Sequence, residues 1–297
     1  FMEISICIVT CNTCDLLRAC LRSITQFPPV AEYEIIVVDN GSQDGTGQML
    51  QDEFPQIRLI HNDVNCGFTV SLNQAMRSAK GALLVSLNPD TLLTTDVFNT
   101  LGKFLQVHPE AGIVTPKVLN RDGSLQKQCR RGEARPLEVF AYFLKLDRLW
   151  PKNKTLGAYL LTYLPEDETA EVKAVSGSCM MIRRELIEQV GYFDERYFAY
   201  QEDSDFCFQA RRAGWKVYYV PTTTIVHYGG QGGSGTQPFH GVYQWHRSYY
   251  LYYRKNLASD YFFLFNWFYY GLMVIKLLWA MIVTVFRHKK IVGTPKP

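Results

Sequence analysis

Four short stretches of this 297-residue chain place carboxylate, amide or imidazole groups beside turn-forming residues. They are Asp39-Asn40-Gly41-Ser42, Asn88-Pro89-Asp90, Glu202-Asp203-Ser204-Asp205 and His227-Tyr228-Gly229-Gly230. A carboxylate at such a place can accept a hydrogen bond from a pyrimidine base, hold a divalent cation or deprotonate a hydroxyl group. An imidazole is a common ligand for Mn²⁺ and similar ions. Taken singly, each stretch could equally be an ordinary turn, helix cap or packed histidine. Its place in the fold must therefore decide between a structural and a functional role.

Four apolar runs, rich in Ile, Val and Leu and without polar alternation, alternate with helical stretches. The runs are Ile4–Thr10, Glu34–Asp39, Ile57–His61 and Ala82–Leu87, and the helices are Asp15–Thr25, Gln43–Phe54 and Val70–Ala79. This order predicts an open, mostly parallel α/β sheet with helices on both faces. Ligands bind such sheets outside the carboxyl ends of the strands. Polar residues follow all four runs, so we expect the binding site at that edge.

The remainder of the chain predicts further elements of the same kind. We expect helices at Leu93–Val107, Arg183–Val190 and Asp203–Ala213, and strands at Gly112–Thr115, Val172–Ile182 and Lys216–Val220, the last ended by Pro221. Between them, Lys117–Leu164 is predicted to be a loop-rich insertion with a basic cluster at Lys127, Arg130, Arg131 and Arg135. Gly229–Gly235 has five glycines in seven residues, and we expect it to be a mobile lid.

An apolar segment near the end, Tyr261–Phe286, is rich in Trp and Tyr and has basic residues on both sides. Residues 254–297 carry a charge of +6, against −3 for residues 1–253. Lys276 near the midpoint would be costly at the centre of a bilayer. We therefore expect a helix or hairpin that lies in the cytoplasmic membrane interface, where anionic lipid attracts basic residues. A buried helix or a homodimer contact is the alternative.

Several classes of function are disfavoured. The chain has neither G-x-x-x-x-G-K-[ST] nor a G-x-G-x-x-G after the first strand, which argues against P-loop and dinucleotide chemistry. A mildly acidic body is not typical of a nucleic-acid-binding protein. Cys11 and Cys14 have C-x-x-C spacing but no second ligand pair, so we expect the eight cysteines to be reduced and cytosolic. The short run Ile4–Thr10, without a basic segment before it, is not expected to be a cleavable signal peptide.

Together and in this order, VVDNGSQDGT, NPDT, GYFDERYFAYQEDSDFCFQARRAGWKVYYVP and VHYGG resemble the landmarks of glycosyltransferase family 2, especially its bacterial rhamnosyltransferase-like members. The resemblance covers roughly residues 3–256 and is most specific in the third stretch. It implies a GT-A fold over residues 2–256, followed by an apolar and basic helical segment at 257–297. The predicted fold class is therefore α/β of the GT-A type with a C-terminal helical appendage.

The resemblance also implies roles for individual residues. The nucleotide-sugar donor would be held by Thr10, Asp39, Asn40, Asn65, Gly67, Phe68, Asn73 and Asn88. Asp90 and His227 would bind Mg²⁺ or Mn²⁺, and Asp203, with Glu202 beside it, would deprotonate the acceptor. In this chain the family's metal-binding triplet begins with Asn88 rather than Asp, which removes one carboxylate and suggests weaker metal binding.

The activity implied is inverting transfer of a sugar from a dTDP- or UDP-linked donor to a saccharide or lipid-linked acceptor. Rhamnose is the sugar that the resemblance favours. Such an enzyme would act in cell-surface polysaccharide synthesis, at the inner face of the cell membrane. Two alternatives remain open at this point. One is a polyprenyl-phosphate sugar synthase, whose phosphate acceptor needs no base, and the other is a catalytically silent nucleotide-binding scaffold.

Overall fold

The computed structural model describes residues 3–229 and 238–287, and a nine-stranded mixed sheet lies at its centre. The strands of the described chain are β1 Ile4–Thr10, β2 Tyr33–Asn40, β3 Arg58–Asn62, β4 Leu83–Leu87, β5 Thr91–Leu93, β6 Ala111–Leu119, β7 Arg130–Arg131, β8 Ala170–Glu171, β9 Ala174–Val175, β10 Cys179–Arg183 and β11 Lys216–His227. Their order in the sheet is β3-β2-β1-β4-β10-β6-β11-β5, with β8 paired to β11. Strands β7 and β9 form a separate pair.

The α-helices of the described residues are α1 Cys14–Gln26, α2 Thr46–Glu53, α3 Phe68–Ser78, α4 Val97–Val107, α5 Pro136–Phe143, α6 Leu146–Leu149, α7 Arg184–Val190, α8 Glu202–Arg212, α9 Pro238–Asn256 and α10 Phe263–Arg287. The spacing of apolar residues explains how they pack. In α1, for example, Leu17, Cys20, Leu21 and Ile24 recur at helical intervals and are buried. Every residue of β1 is buried, as a central strand covered on both faces requires.

The predicted α/β architecture is confirmed, and its first four strands pair in parallel. Strand β10 is antiparallel to both β4 and β6, so the sheet is mixed. The predicted strand Val172–Ile182 is in fact two strands, β9 and β10, separated at Gly177-Ser178. The expected end at Pro221 was wrong, because β11 continues to His227. A register shift against β6 between Val220 and Thr224 accommodates the proline.

The insertion predicted to be loop-rich contains the short helices α5 and α6 as well as β7. The apolar tail forms one continuous helix, α10, rather than a hairpin. A second cluster of buried side chains, formed mainly by tyrosines of α9, joins α10 to the body of the protein. All eight cysteines are free thiols.

Candidate active site

Asp39 lies at the carboxyl end of β2, between the ends of β1 and β3. Parallel pairing places it opposite Thr10 on one side and His61 on the other. Its side chain is 2% exposed, accepts a 3.0 Å hydrogen bond from the Ser42 backbone N–H through Oδ1, and lies 3.4 Å from His61 Nδ1 through Oδ2. The turn after β2 thus holds a carboxylate at the edge of the sheet where ligands bind.

Asn40 and Asn65 join the β2 turn to the loop that precedes α3. Asn40 Nδ2 donates to Asn65 Oδ1 at 2.8 Å, and Asn40 Oδ1 accepts from the Cys66 N–H at 3.0 Å. Asn65 Oδ1 also accepts from the Gly67 N–H at 2.9 Å. These bonds hold the two loops as one rigid rim beside Asp39.

Gly67 and Phe68 connect this rim to the acidic segment before α8. Gly67 has φ +92°, and a Cβ there would lie 2.7 Å from the Phe198 ring, so only glycine fits. The Phe68 N–H donates to the Phe198 carbonyl at 2.7 Å. Asn73 is fully buried and uses its amide on Phe193 O and Glu195 Oε1, at 2.8 and 3.0 Å. The structure therefore commits the Asn73 side chain to anchoring the acidic segment.

Asp90 and His227 are 137 positions apart but meet in the structure. Strand β5 follows Asp90, and its Thr91 pairs with His227 in the antiparallel ladder with β11. His227 Nε2 lies 3.1 Å from Asp90 Oδ1 and 3.2 Å from Asn88 Nδ2. Both side chains are mostly buried, at 8% exposure for Asp90 and 12% for His227.

Gln126 sets the orientation of the imidazole, since its Oε1 lies 2.8 Å from His227 Nδ1. If Nδ1 carries the proton, the Nε2 lone pair faces the Asp90 carboxylate, an arrangement that a cation between them would stabilise. Within residues 3–229 and 238–287, no group of three or more His, Cys, Asp or Glu side chains is placed to hold a metal. One carboxylate and one imidazole nevertheless fit Mg²⁺ or Mn²⁺, because substrate phosphates and water usually complete the shell of such ions.

Asp203 lies in the first turn of α8 and is held by groups distant in sequence. Its Oδ2 lies 2.7 Å from a nitrogen of Arg131 and accepts from the Gly177 N–H at 3.0 Å, while Oδ1 accepts from the Ser204 N–H at 2.6 Å. The same Arg131 nitrogen donates to the Val175 carbonyl at 2.8 Å. These contacts fix the position of the carboxylate.

Glu202, next to it, has the opposite environment. Its side chain is 7% exposed, and its Oε2 has no hydrogen-bond partner. Burial, with the Asp203 charge adding to it, raises the pKa of Glu202 from an ordinary 4.5 to about 8. The two preceding residues, Tyr200 and Gln201, have left-handed backbone angles of φ +69° and +63°, and such strain in non-glycine residues often marks functional sites.

The raised pKa of Glu202 should make the free energy of unfolding depend on pH. Between about pH 5 and 8 the folded protein keeps the Glu202 proton while the unfolded chain loses it, so the native state binds more protons. The free energy of unfolding therefore falls as pH rises, by up to about 1.4 kcal/mol per pH unit. Glu202→Gln should flatten this fall in urea denaturation across that range. The control Glu168→Gln, at an exposed carboxylate, should not, and equal slopes in all three proteins would contradict the assignment.

The Gly177-Ser178 turn between β9 and β10 links the two pairs of candidate functional residues. The Ser178 carbonyl accepts from the Asn88 N–H at 3.0 Å on one side, and the Gly177 N–H donates to Asp203 on the other. Ser86 Oγ donates to the Gly177 carbonyl at 3.2 Å. The Asp90–His227 pair and the Glu202–Asp203 pair therefore border one site at the carboxyl ends of β1, β2 and β4.

Sequence reasoning did not assign Arg131, Gln126 or Gly177 to this site. Arg131 was noticed only as one member of a basic cluster, and none of the three belongs to a local motif. The predicted lid, Gly229–Gly235, lies outside the described residues except for Gly229.

Comparisons with known proteins identify the family and the fold. The family model Glycosyl transferase family 2 matches residues 5–191. The N-acetylglucosaminyl-diphospho-decaprenol L-rhamnosyltransferase of Mycobacterium tuberculosis is 29% identical over 229 residues, which cover 73% of each chain.

Two solved structures show the same fold at 17% identity. One is the mannosyltransferase PcManGT of Pyrobaculum calidifontis in complex with GDP-Man and Mn²⁺, with a TM-score of 0.57 over 99% of this chain and 76% of that one. The other is S. aureus TarS 1-349 in complex with UDP-GlcNAc, with a TM-score of 0.61 over 88% of this chain and 68% of that one. GalNAc-T7 is a further similar structure, and this chain covers 43% of its length. From its matched sequence and its GT-A fold, this chain belongs to glycosyltransferase family 2 and is a glycosyltransferase.

Proposed function

We propose that this enzyme transfers a sugar, with inversion, from a nucleoside-diphosphate donor to a lipid-diphosphate-linked saccharide during cell-surface polysaccharide synthesis. The observation that carries the proposal is the Gly177-Ser178 turn, which bonds Asn88, two residues before Asp90, on one side and Asp203 on the other. The name of the mycobacterial relative supports rhamnose as the sugar and a diphospho-polyprenol saccharide as the acceptor. We propose a dTDP-linked donor in preference to a UDP-linked donor.

The donor nucleotide lies along the rim formed by Asp39, Asn40 and the Asn65–Phe68 loop. The buried Asp39 carboxylate accepts from the N3–H of a pyrimidine base, and Thr10 lies beside it at the end of β1. Asn88 follows β4, which pairs with β1, and its Nδ2 lies 3.2 Å from His227 Nε2, so the diphosphate would extend from the base and ribose toward it.

Asp39→Ala should weaken donor binding by about tenfold or more, because a hydrogen bond to a buried charged group is worth about 1.5–3 kcal/mol. Calorimetric titration with dTDP and UDP measures the effect. Asp63→Ala, which removes a fully exposed carboxylate just after β3, is the matched control and should bind as the unmodified protein does. An unchanged affinity in Asp39→Ala would refute the assignment of the base.

Asp90 Oδ1 and His227 Nε2 would hold Mg²⁺ or Mn²⁺, and such an ion stabilises the negative charge that develops on the departing diphosphate. Asp203 accepts the proton of the acceptor hydroxyl as the hydroxyl oxygen bonds to the anomeric carbon and the bond from that carbon to the diphosphate breaks. No enzyme side chain bonds to the sugar, so the single displacement inverts the anomeric configuration.

A thermal-shift screen of dTDP-, UDP- and GDP-sugars, each with and without Mn²⁺, tests this function. A ligand that binds only the native state raises the melting temperature, by an amount that grows with concentration over Kd. We expect dTDP-rhamnose with Mn²⁺ to give the largest shift, and the same donor to support transfer to a diphospholipid-linked N-acetylglucosamine. No shift with any nucleotide sugar would overturn the proposal.

Helix α10 supports placement at a membrane surface. It is the one helix among the described residues that is long and apolar enough to cross a bilayer. Its large apolar side chains face solvent, including Trp267 at 72% and Trp279 at 66% exposure. Lys276 does not interrupt this face, since its Nζ lies against the Phe143 and Trp245 rings, 4.0 and 4.1 Å from their centroids.

Helix α9 holds α10 against the protein body over about three turns. Tyr249 and Tyr269 share a hydrogen bond of 2.8 Å, and Lys276 Nζ lies 3.1 Å from His246 Nε2. A helix whose first half is fixed to the protein body in this way is better placed to lie in the interface than to cross the bilayer. Exposed apolar residues of α5, among them Leu137 and Phe140, extend the same kind of surface.

Liposome flotation tests the membrane role in the full-length protein. Replacing Trp267 and Trp279 together by Ser should weaken binding to phosphatidylglycerol vesicles by about tenfold or more. The reason is that two large apolar side chains that would be buried in the membrane are lost. The matched control replaces Val30 and Val64, which are 70% and 67% exposed on the catalytic body, and should float as the unmodified protein does. If the unmodified protein stays in the soluble fraction, the membrane role is wrong.

A further inference from the structure

The insertion between β6 and β9 encloses a cavity of about 450 Å³ that the donor and metal assignments do not use. Residues from both ends of the insertion line it, including Asn120, Lys127, Tyr142, Asp147 and Arg148. The lining combines a buried carboxylate, an amide, an aromatic ring and two cations.

Two series of contacts connect this cavity to the active site. On one side, Gln126 Nε2 donates to Asn120 Oδ1 at 3.3 Å, and Gln126 Oε1 contacts His227. On the other, the Tyr142 ring packs against Tyr159 with centroids 5.1 Å apart, and the Tyr159 carbonyl accepts from the Gly132 N–H, next to the Arg131 that holds Asp203. The cavity is therefore linked to the metal pair through Asn120 and Gln126, and it lies in the same insertion as the Arg131 that holds the base.

Asp147 is the feature that most needs a ligand. Its side chain is 4% exposed, yet its Oδ1 has no hydrogen-bond partner. A buried carboxylate oxygen without a donor is costly, and buried polar groups are nearly always bonded. Hydroxyl groups of a saccharide are donors that fit this oxygen, and the neighbouring Tyr142 ring offers an apolar face to a sugar ring.

Lys127 and Arg148 line the same cavity and are exposed at its mouth. Two cations at one opening are suited to phosphate oxygens, and the Arg guanidinium can bind them with two parallel hydrogen bonds. Exposed apolar side chains of α5, Phe140 and Phe143, lie a few residues before α6. A lipid chain attached to the phosphate would find apolar surface nearby.

We propose that this cavity is the acceptor subsite and that it takes a glycosyl phosphate. Asp147 accepts hydrogen bonds from the sugar hydroxyls, and Lys127 and Arg148 bind the phosphate. This inference rests on the proposed function, and it assigns to the insertion the recognition of the molecule that receives the sugar.

Calorimetry with N-acetylglucosamine 1-phosphate as the probe, in the presence of Mn²⁺ and UDP or dTDP, tests the assignment. Lys127→Gln combined with Arg148→Gln should weaken probe binding at least tenfold, as should Asp147→Asn. The matched control replaces Lys152 and Lys154 by Gln, exposed cations of the same insertion that do not line the cavity, and should leave probe affinity unchanged. Nucleotide titration in each variant verifies that the protein is folded.

Equal probe affinity in the unmodified protein and both cavity variants, with nucleotide binding intact, would overturn the acceptor subsite alone. Absence of nucleotide binding in the unmodified protein would instead refute the proposed function. A farnesyl diphosphate-linked N-acetylglucosamine distinguishes the source of the phosphate. If this compound binds more tightly than the soluble probe, and the cavity variants lose that binding, the ligand is a lipid carrier. If it binds equally tightly, and the cavity variants again lose binding, the cavity recognises the headgroup alone.

Discussion

Asp203→Asn should lower kcat by about 10²–10⁴-fold, the range expected when a general base is removed, while donor affinity changes little. Asparagine has the shape of aspartate but cannot take the acceptor proton. Because the substitution also leaves Arg131 without its 2.7 Å ion-pair partner, circular dichroism and nucleotide titration should accompany the kinetics to show that the fold is retained.

Glu202→Gln distinguishes which of the two neighbouring carboxyl groups is the base. With a pKa of about 8, Glu202 is protonated at neutral pH and cannot accept a proton. We expect a smaller loss of kcat than in Asp203→Asn. The reverse order would assign the base to Glu202. Turnover that survives Asp203→Asn would favour the polyprenyl-phosphate sugar synthase, because a phosphate acceptor needs no base.

Asp90→Asn should abolish the gain in donor affinity that Mn²⁺ provides and reduce transfer by about 10²-fold or more, since Lewis-acid stabilisation of a leaving group is worth several kcal/mol. His227→Gln should have a smaller effect in the same direction, because Asp90 remains. Donor titrations with Mn²⁺ and with EDTA measure the metal-dependent part of binding.

Asp96→Asn is the control for this pair, because Asp96 is an exposed carboxylate six positions further along the same segment. It should respond to Mn²⁺ as the unmodified enzyme does. Donor binding that is equal with Mn²⁺ and with EDTA in the unmodified enzyme would show that no metal acts at Asp90 and His227.

The sequence predicted the first half of the fold closely because its strands are continuous apolar runs separated by helices. The first strand was predicted with its observed bounds, Ile4–Thr10, and β2 to β4 lie within one residue of prediction at each end. The later half was harder. Pro221 normally ends a strand, but pairing with β6 shifts register around it, and this depends on a partner about a hundred residues away.

The same distinction separates the candidate site residues that the sequence predicts from those that only the structure adds. Asp39, Asp90, Asp203 and His227 lie at or beside the ends of strands and helices, in short stretches whose residue types suggest chemistry. Arg131 and Gln126, by contrast, act only through partners brought close by folding. The helices α5 and α6 have only eight and four residues, too few for a clear helical pattern, so the sequence predicts loops there. The cavity in the insertion was therefore not anticipated.

The pairing of Thr91 with His227 on β5 and β11 has a consequence for the protein during its synthesis. A chain emerging from the ribosome presents the nucleotide rim and Asp90 early, yet the imidazole and the strand that carries it arrive more than a hundred residues later. Since translation adds roughly 5–20 residues per second, a nascent chain spends several seconds with Asp90 synthesised but without the histidine that pairs with it. Incomplete chains should therefore be unable to hold a divalent cation through this pair.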